Sequence, residues 1–210
     1  MRAVSELVAT HAARYLDEAA RIIRLLDVDA LESMAEALAA VRARGGRLFF
    51  VGVGGSASNA SHATNDFRKI AGFEAYAATD NVAELTARIN DDGWASAFSG
   101  FLQVSRLSAD DGVFVLSVGG GDADRNISPN LVEAVRLAKR VGATVFGIVG
   151  RDGGHTALCA EHCIVVPTVS AESVTPHTDS FQALVWHLLV SHPLLQRSPM
   201  KWESVDGEAG

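Results

Sequence analysis

A continuous apolar run, Leu48-Phe49-Phe50-Val51-Gly52, leads directly into Val53-Gly54-Gly55-Ser56 and then into a helix-forming segment that carries His62 and Asp66. A strand that is apolar on both faces belongs inside a parallel sheet. Glycines after it let backbone amides approach a ligand, and the helix that follows offers unpaired N–H groups and the positive end of its dipole to an anion. The stretch therefore reads as strand, loop and helix, and as a cradle for a phosphate. One turn further on, His62 and Asp66 are four residues apart on one helical face, close enough to share a metal ion or a substrate.

The rest of the chain repeats that alternation. Apolar runs at 47–52, 74–78, 112–117, 143–149 and 163–166 predict strands. Helical segments are predicted near 57–71, 81–90, 93–107, 129–141, 154–160 and 176–191. This is the pattern of an α/β doubly wound, five-stranded, mostly parallel sheet. Such sheets bind ligands outside the carboxyl ends of their strands, which puts 52–56 and 117–128 on one edge. Two amphipathic helices, about 3–26 and 28–44, precede the sheet and stop at Gly45-Gly46. Such a hairpin must bury its stripe on the α/β body or on a copy of itself, and a bundle between subunits is the favoured reading. With 210 residues, 48% of them apolar, the chain is expected to form one domain over 1–196, followed by a flexible tail over 197–210.

Charge narrows the partners. The formal net charge is -7 and the pI about 5.4, with no cluster of Lys and Arg to meet a nucleic-acid backbone. No run of eighteen apolar residues suggests a membrane span, and the N-terminus does not read as a signal peptide, so a cytoplasmic location is expected. Cys159 and Cys163 are too few for a disulfide framework and are expected to be reduced.

The turn after the first strand is not the dinucleotide fingerprint. That motif needs glycine at position 57, which is Ala57, and an acidic residue after the second strand, where Thr79-Asp80 is the nearest candidate. A phosphate monoester is the better ligand, with no nucleotide cofactor. A second glycine-rich loop runs from Ser117, Val118 and Gly119 to Ser128, and Pro129 suits the first position of a helix with Ser128 as its N-cap. His62 and Asp66, with Asp179 and His187 on the last helix, form a set of two histidines and two carboxylates suited to zinc or another divalent ion. Asp179 and His187 lie about 12 Å apart along a helix, far for one ion, so one of them would bind substrate or serve a neighbouring subunit, with His177 and Gln182 as nearby substitutes. His155, Cys159, His162 and Cys163 make a rival metal cluster, although Cys163 suits a buried strand as a small hydrophobe. Trp94 and Trp186 read as packing residues.

Gly52-Val53-Gly54-Gly55-Ser56 with His62 and Asp66, then Ile89-Asn90-Asp91-Asp92-Gly93, Gly150-Arg151-Asp152-Gly153-Gly154 and a last helix ending in Trp186-His187-Leu188-Leu189 resemble the sugar-isomerase (SIS) domain of phosphoheptose isomerases, over roughly residues 3–192. The resemblance implies a homotetramer with shared sites that converts sedoheptulose 7-phosphate to D-glycero-D-manno-heptose 7-phosphate. It also implies one divalent metal per subunit, zinc in the first place. By the same resemblance His62, Asp66, Asp179 and His187 fall at the metal ligands, and Asp66 and His187 form the acid/base pair. Val53, Gly54, Gly55, Ser56, Asn90, Asp91, Ser117, Val118, Gly119 and Ser128 fall at the substrate, with Asp66 and Asp179. The chain departs from the family pattern in carrying Val53 for Asn, Asp66 for Glu, Asp179 for a neutral amide, and a longer Gly119-Gly120-Gly121 loop that loses two hydroxyls. Two rival readings are a non-catalytic SIS module that binds a sugar phosphate or a protein, and an isomerase of another phosphosugar. The presence of both Asp66 and His187 favours an enzyme.

Overall fold

The computed structural model describes residues 2–200. The chain opens with the expected hairpin, α1 (Arg2–Leu25) and α2 (Val28–Ala43). Asp27 caps α2 by accepting the Ala30 amide at 3.0 Å, and Gly45, at φ 76°, lies just beyond its end. The α/β body follows as β1 (Leu48–Gly52), α3 (Gly55–Lys69), β2 (Ala75–Ala77) and α4 (Val82–Asp92). A 3-10 turn (Trp94–Ser96), α5 (Ala97–Val104), β3 (Gly112–Ser117), α6 (Pro129–Val141) and β4 (Thr144–Val149) come next. The last elements are α7 (Gly154–Cys159), β5 (His162–Val165) and α8 (Val174–Ser191).

All five strands are parallel, in the order β2-β1-β3-β4-β5. The apolar runs are continuous because each strand is covered on both sides. Successive side chains alternate between faces, so Leu48 and Phe50 enter one core with Phe114 and Phe146, while Phe49 and Val51 enter the other with Val113 and Val145. The first core lies under α2, α3 and α8 and holds a file of stacked rings, Phe50–Phe114 at 5.1 Å and Phe114–Phe146 at 5.7 Å. Phe98 and Leu102 of α5 and Leu131 and Val135 of α6 close the second. From β1 the chain goes to β2 on one side and then crosses to β3 on the other, so the crevice between their carboxyl ends is the topological switch point. Gly52 pairs with Leu116, and Ser117 with Val149, so the loops after β1, β3 and β4 leave the sheet nearly level.

Several expectations need correction. Within one chain, α2 buries Leu31, Met34, Ala35, Leu38 and Val41 on the body, so that helix needs no second copy to cover its stripe. The helix expected over 93–107 is broken into a 3-10 turn and α5, and α4 runs two residues past 90, which puts Asn90 and Asp91 in its last turn. Arg197 and Ser198, at the start of the expected flexible tail, both donate their amides to Ile70 O, at 2.8 and 3.0 Å, behind a buried Leu195. Residues 201–210 of that tail lie outside the described residues. No helix among the described residues is long and apolar enough to cross a membrane.

Candidate active site

The turn from β1 into α3 is tight enough to require glycine. A Cβ on Gly52 would stand 2.4 Å from Ser56 O, and Gly54 holds φ 63° at the helix start. The helix thereby begins at the sheet edge and turns one face towards α8. Four side chains fix the contact: Ser56 Oγ donates to Asp179 Oδ1 at 3.0 Å and accepts from Gln182 Nε2 at 3.0 Å. Asn59 Nδ2 donates to Gln182 Oε1 at 2.7 Å and to Asp179 O at 2.9 Å. Ser56 and Gln182 are buried, so this network is satisfied internally and sets the register of the two helices.

With that register set, the next turns bring His62, Asp66 and His187 together. His62 Nε2 is 3.5 Å and His187 Nε2 3.4 Å from Asp66 Oδ2. Asp66 is buried at 7% exposure while both imidazoles reach solvent, so the carboxylate forms the floor of an open site. Asn65 Nδ2 holds Oδ1 at 3.0 Å, and the buried indole N–H of Trp186 reaches Oδ2 at 3.3 Å. Trp186 is therefore more than the packing residue expected from sequence. Its signal was there to read, since a buried indole N–H needs an acceptor.

These residues fit a divalent metal. His187 Nδ1 lies 2.7 Å from Ala183 O, a group that only accepts, so Nδ1 carries a proton, and in the neutral ring Nε2 then presents its lone pair towards Asp66. Two imidazole nitrogens and one carboxylate oxygen lie within 4.8 Å of one another. Tetrahedral zinc with bonds of about 2.0–2.2 Å separates its ligand atoms by about 3.3–3.6 Å, and the two separations from Oδ2 fall in that range. Three protein ligands with an open side suit a catalytic rather than a structural ion.

The other predicted residues are distributed differently. Asp179 is not in this group, because its carboxylate is held two helical turns away at the start of α3 by Ser56. His177 and Gln182 are not in it either: His177 Nε2 is 3.0 Å from buried Glu18, and Gln182 belongs to the Ser56 network. Asn90 and Asp91 bond each other on the exposed end of α4, at 2.7 Å. Val53 is 39% exposed at the lip of the first turn. Ser117 Oγ accepts the Gly120 amide at 3.0 Å, which folds the second loop back on its strand beside Val118 and Gly119. Ser128 occupies the N-cap position expected, before Pro129, but does not cap through its side chain. Its backbone is left-handed, at φ 49° and ψ 55°, whereas a capping side chain needs an extended residue, and its hydroxyl makes no cap bond.

The rival cluster is not assembled. His155 Nε2 and Cys159 Sγ approach to 3.7 Å, but His162 stacks on Phe146 and meets Ser33 Oγ through Nδ1 at 3.2 Å. Burial pushes the Cys163 thiol up to about 12, as suits a strand residue, and depresses His155. His62, Asp66 and His187 are the one metal-type group among the described residues.

Comparison with known proteins identifies the family. The SIS domain family matches residues 14–150. A phosphoheptose isomerase of Solidesulfovibrio magneticus is 33% identical over 88% of this chain and 90% of its own length. One from Rhodospirillum rubrum is 34% identical over 77% and 84%. The solved phosphoheptose isomerase GmhA of Neisseria gonorrhoeae superposes with a TM-score of 0.74 at 26% identity, covering 89% of this chain and 96% of that one. The chain thus belongs to the SIS domain family, is a phosphosugar isomerase, and has phosphoheptose isomerases among its relatives.

Proposed function

We propose that this phosphosugar isomerase interconverts sedoheptulose 7-phosphate and D-glycero-D-manno-heptose 7-phosphate through an enediol, supplying heptose for nucleotide-activated sugars or surface polysaccharide. The observation that carries the reading is the approach of His187 Nε2, on α8, to 3.4 Å from Asp66 Oδ2, on the helix that begins at the glycine turn. Aldose-ketose isomerisation moves one proton between C1 and C2. In the ketose-to-aldose direction, one member of the pair removes a C1 proton as the C2 carbonyl oxygen gains one. The O1 proton then leaves as C2 is protonated, and the charges balance. For these transfers one of the two must enter protonated: His187 as the imidazolium, keeping Nδ1–H on Ala183 O, would give the proton from Nε2, and Asp66, held by Trp186 and Asn65, would take the C1 proton. In a metal-bound site His62, Asp66 and His187 would instead hold one zinc ion, which would supply a Lewis acid for the carbonyl and enediolate oxygens, and His187 Nε2 and Asp66 Oδ2 would then not carry the protons.

A homotetramer with shared sites fits the same reading. Leu16 and Ile23 of α1 remain 68% and 55% exposed, and α4, with no buried residue, presents Asn90 and Asp91 outward. The enzyme would work in the cytoplasm. A specific observation keeps a second substrate in view: Val118 and Gly119 lack the hydroxyls of the family's phosphate loop, so a pentose or hexose phosphate is the alternative. The test is turnover of sedoheptulose 7-phosphate beside those sugars by wild type, Asp66→Asn and His187→Ala. Turnover of the heptose phosphate alone, lost in both variants, is expected. Full activity in both variants would discard the assignment.

A further inference from the structure

We propose that Arg151 is the cation that binds the substrate's phosphate, in place of the hydroxyls that this chain's second glycine loop lacks; this rests on the phosphosugar reading above. Two places at the sheet edge suit an anion. At the first, the start of α3, a carboxylate is already seated: Asp179 Oδ1 accepts from Ser56 Oγ, and Oδ2 stands 2.6 Å from where a Cβ on Gly55 would lie. A phosphate brought there would face that negative charge at contact distance. Phosphate is therefore directed to the second place, the ends of β3 and β4.

There a cavity of about 310 Å³ opens between the two loops, lined by Gly119, Gly121, Ile127, Arg125 and Arg151. Its two arginines differ. Arg125 is committed, since its Nε donates to Asp122 Oδ2 at 2.6 Å and its amide to Oδ1 at 2.8 Å. Arg151 has no hydrogen-bond or ion-pair partner among the described residues. Its side chain nevertheless folds back over the loop, with Cδ 4.0 Å from the position of a Cβ on Gly119. The cavity also holds two acids, but neither bonds Arg151: Asp122 is paired with Arg125 and accepts the Asp124 amide, and Asp152 accepts from the Gly154 amide at 3.2 Å and keeps its charge.

Two further observations point the same way. Arg151 holds φ 54°, a left-handed conformation that disfavours a side chain and that persists where surrounding structure requires it. Across the cavity wall, Gly121 lies against the start of α6, where Ser128 makes no side-chain cap. A guanidinium offers several donors in one plane and binds phosphate in bidentate fashion, so one arginine replaces both missing hydroxyls.

The test is kinetics and phosphate binding of wild type, Arg151→Ala, Arg151→Lys and Arg125→Ala. With Arg151→Ala, KM for the phosphosugar should rise about 10- to 100-fold while kcat stays within about threefold, and competitive inhibition by inorganic phosphate should weaken by the same factor. Arg151→Lys should recover part of both, Arg125→Ala should shift them less, and melting temperatures should be unchanged. An unchanged KM and unchanged phosphate inhibition in Arg151→Ala would overturn the proposal. If wild type turns over no phosphosugar, the functional reading falls first. Calorimetric titration with inorganic phosphate then decides the seat: binding lost in Arg151→Ala upholds it, and equal binding in both proteins, or none in wild type, overturns it.

Discussion

His187 Nε2 stands 3.4 Å from Asp66 Oδ2, and its other ring nitrogen is spent on the carbonyl of Ala183. In the neutral ring of this tautomer both facing atoms are acceptors, so the pair has room for one proton, shared as in an imidazolium–carboxylate pair, or for a cation. Trp186 supplies the N–H that Oδ2 does receive, at 3.3 Å. Trp186→Phe should keep the packing and remove that donor, lowering kcat about tenfold with little change in melting temperature. Steady-state kinetics beside thermal unfolding would check the split.

The same convergence predicts a response to metal. Zinc at about 100 times its Kd should add about 2.7 kcal/mol to stability by mass action, and a chelator should remove that gain. His62→Ala and His187→Ala should each lose the zinc-dependent rise in melting temperature while folding normally without metal. Differential scanning fluorimetry with and without zinc reads the effect independently of activity.

Much of this arrangement was legible in sequence, and the reasons are physical. Strands buried on both faces announce themselves as unbroken apolar runs, which is why β1, β3 and β4 fell where expected. His62 and Asp66 declare a shared face through their spacing alone. The Ser56, Asn59, Asp179 and Gln182 network could not be read, because it depends on how α3 crosses α8, and that crossing is a tertiary property. Ser128 and Pro129 were legible as a helix start, but not the left-handed turn that leaves the Ser128 hydroxyl without a cap bond. Glu18 hid among the charged residues of α1, yet it is 6% exposed and pairs with His177 across the core edge.

Glu18 also carries a pH dependence. The hydrogen bond from His177 holds its carboxyl below the usual range, against the cost of burial. A carboxyl lowered on folding contributes stability above its ordinary pKa and loses it as pH falls through the folded value. Glu18→Gln should therefore loosen α1 from α8 at neutral pH and flatten the acid limb of the stability curve, as read by limited proteolysis of α1 between pH 7 and 4.

Gly55 and Asp179 form a coupled pair. A Cβ on Gly55 would meet Asp179 Oδ2 at 2.6 Å, and that carboxylate is tethered by Ser56 rather than free to swing away. Gly55→Ala alone should cost about 1–3 kcal/mol through overpacking, although alanine is otherwise the better helix residue. In an Asp179→Ala background the same substitution should be neutral or mildly stabilising. A double-mutant cycle in urea would show this as non-additivity, and independent costs would mean that the helices separate to relieve the contact.

Asp111 joins the far end of the sheet to the chain that enters it. Its carboxylate accepts from Arg47 at the amide (2.9 Å), Nε (3.1 Å) and a terminal nitrogen (2.8 Å), and from the Ser108 amide and hydroxyl at 2.9 and 3.0 Å. Burial at 2% exposure opposes ionisation, but these bonds outweigh it and hold the group below the usual carboxylate range. The sign follows as for Glu18: the contribution is full above the ordinary pKa of about 4 and disappears as pH drops through the depressed folded value. Asp111→Ala leaves the Arg47 charge without its partner and should cost about 3–5 kcal/mol at pH 7. Asp111→Asn keeps the shape but not the charge and should cost less. Urea midpoints of the three proteins should converge as pH is lowered from 7 towards 3, because protonation deprives the native chain of the same carboxylate; a gap that stays constant with pH would mean that packing, not charge, is what Asp111 provides.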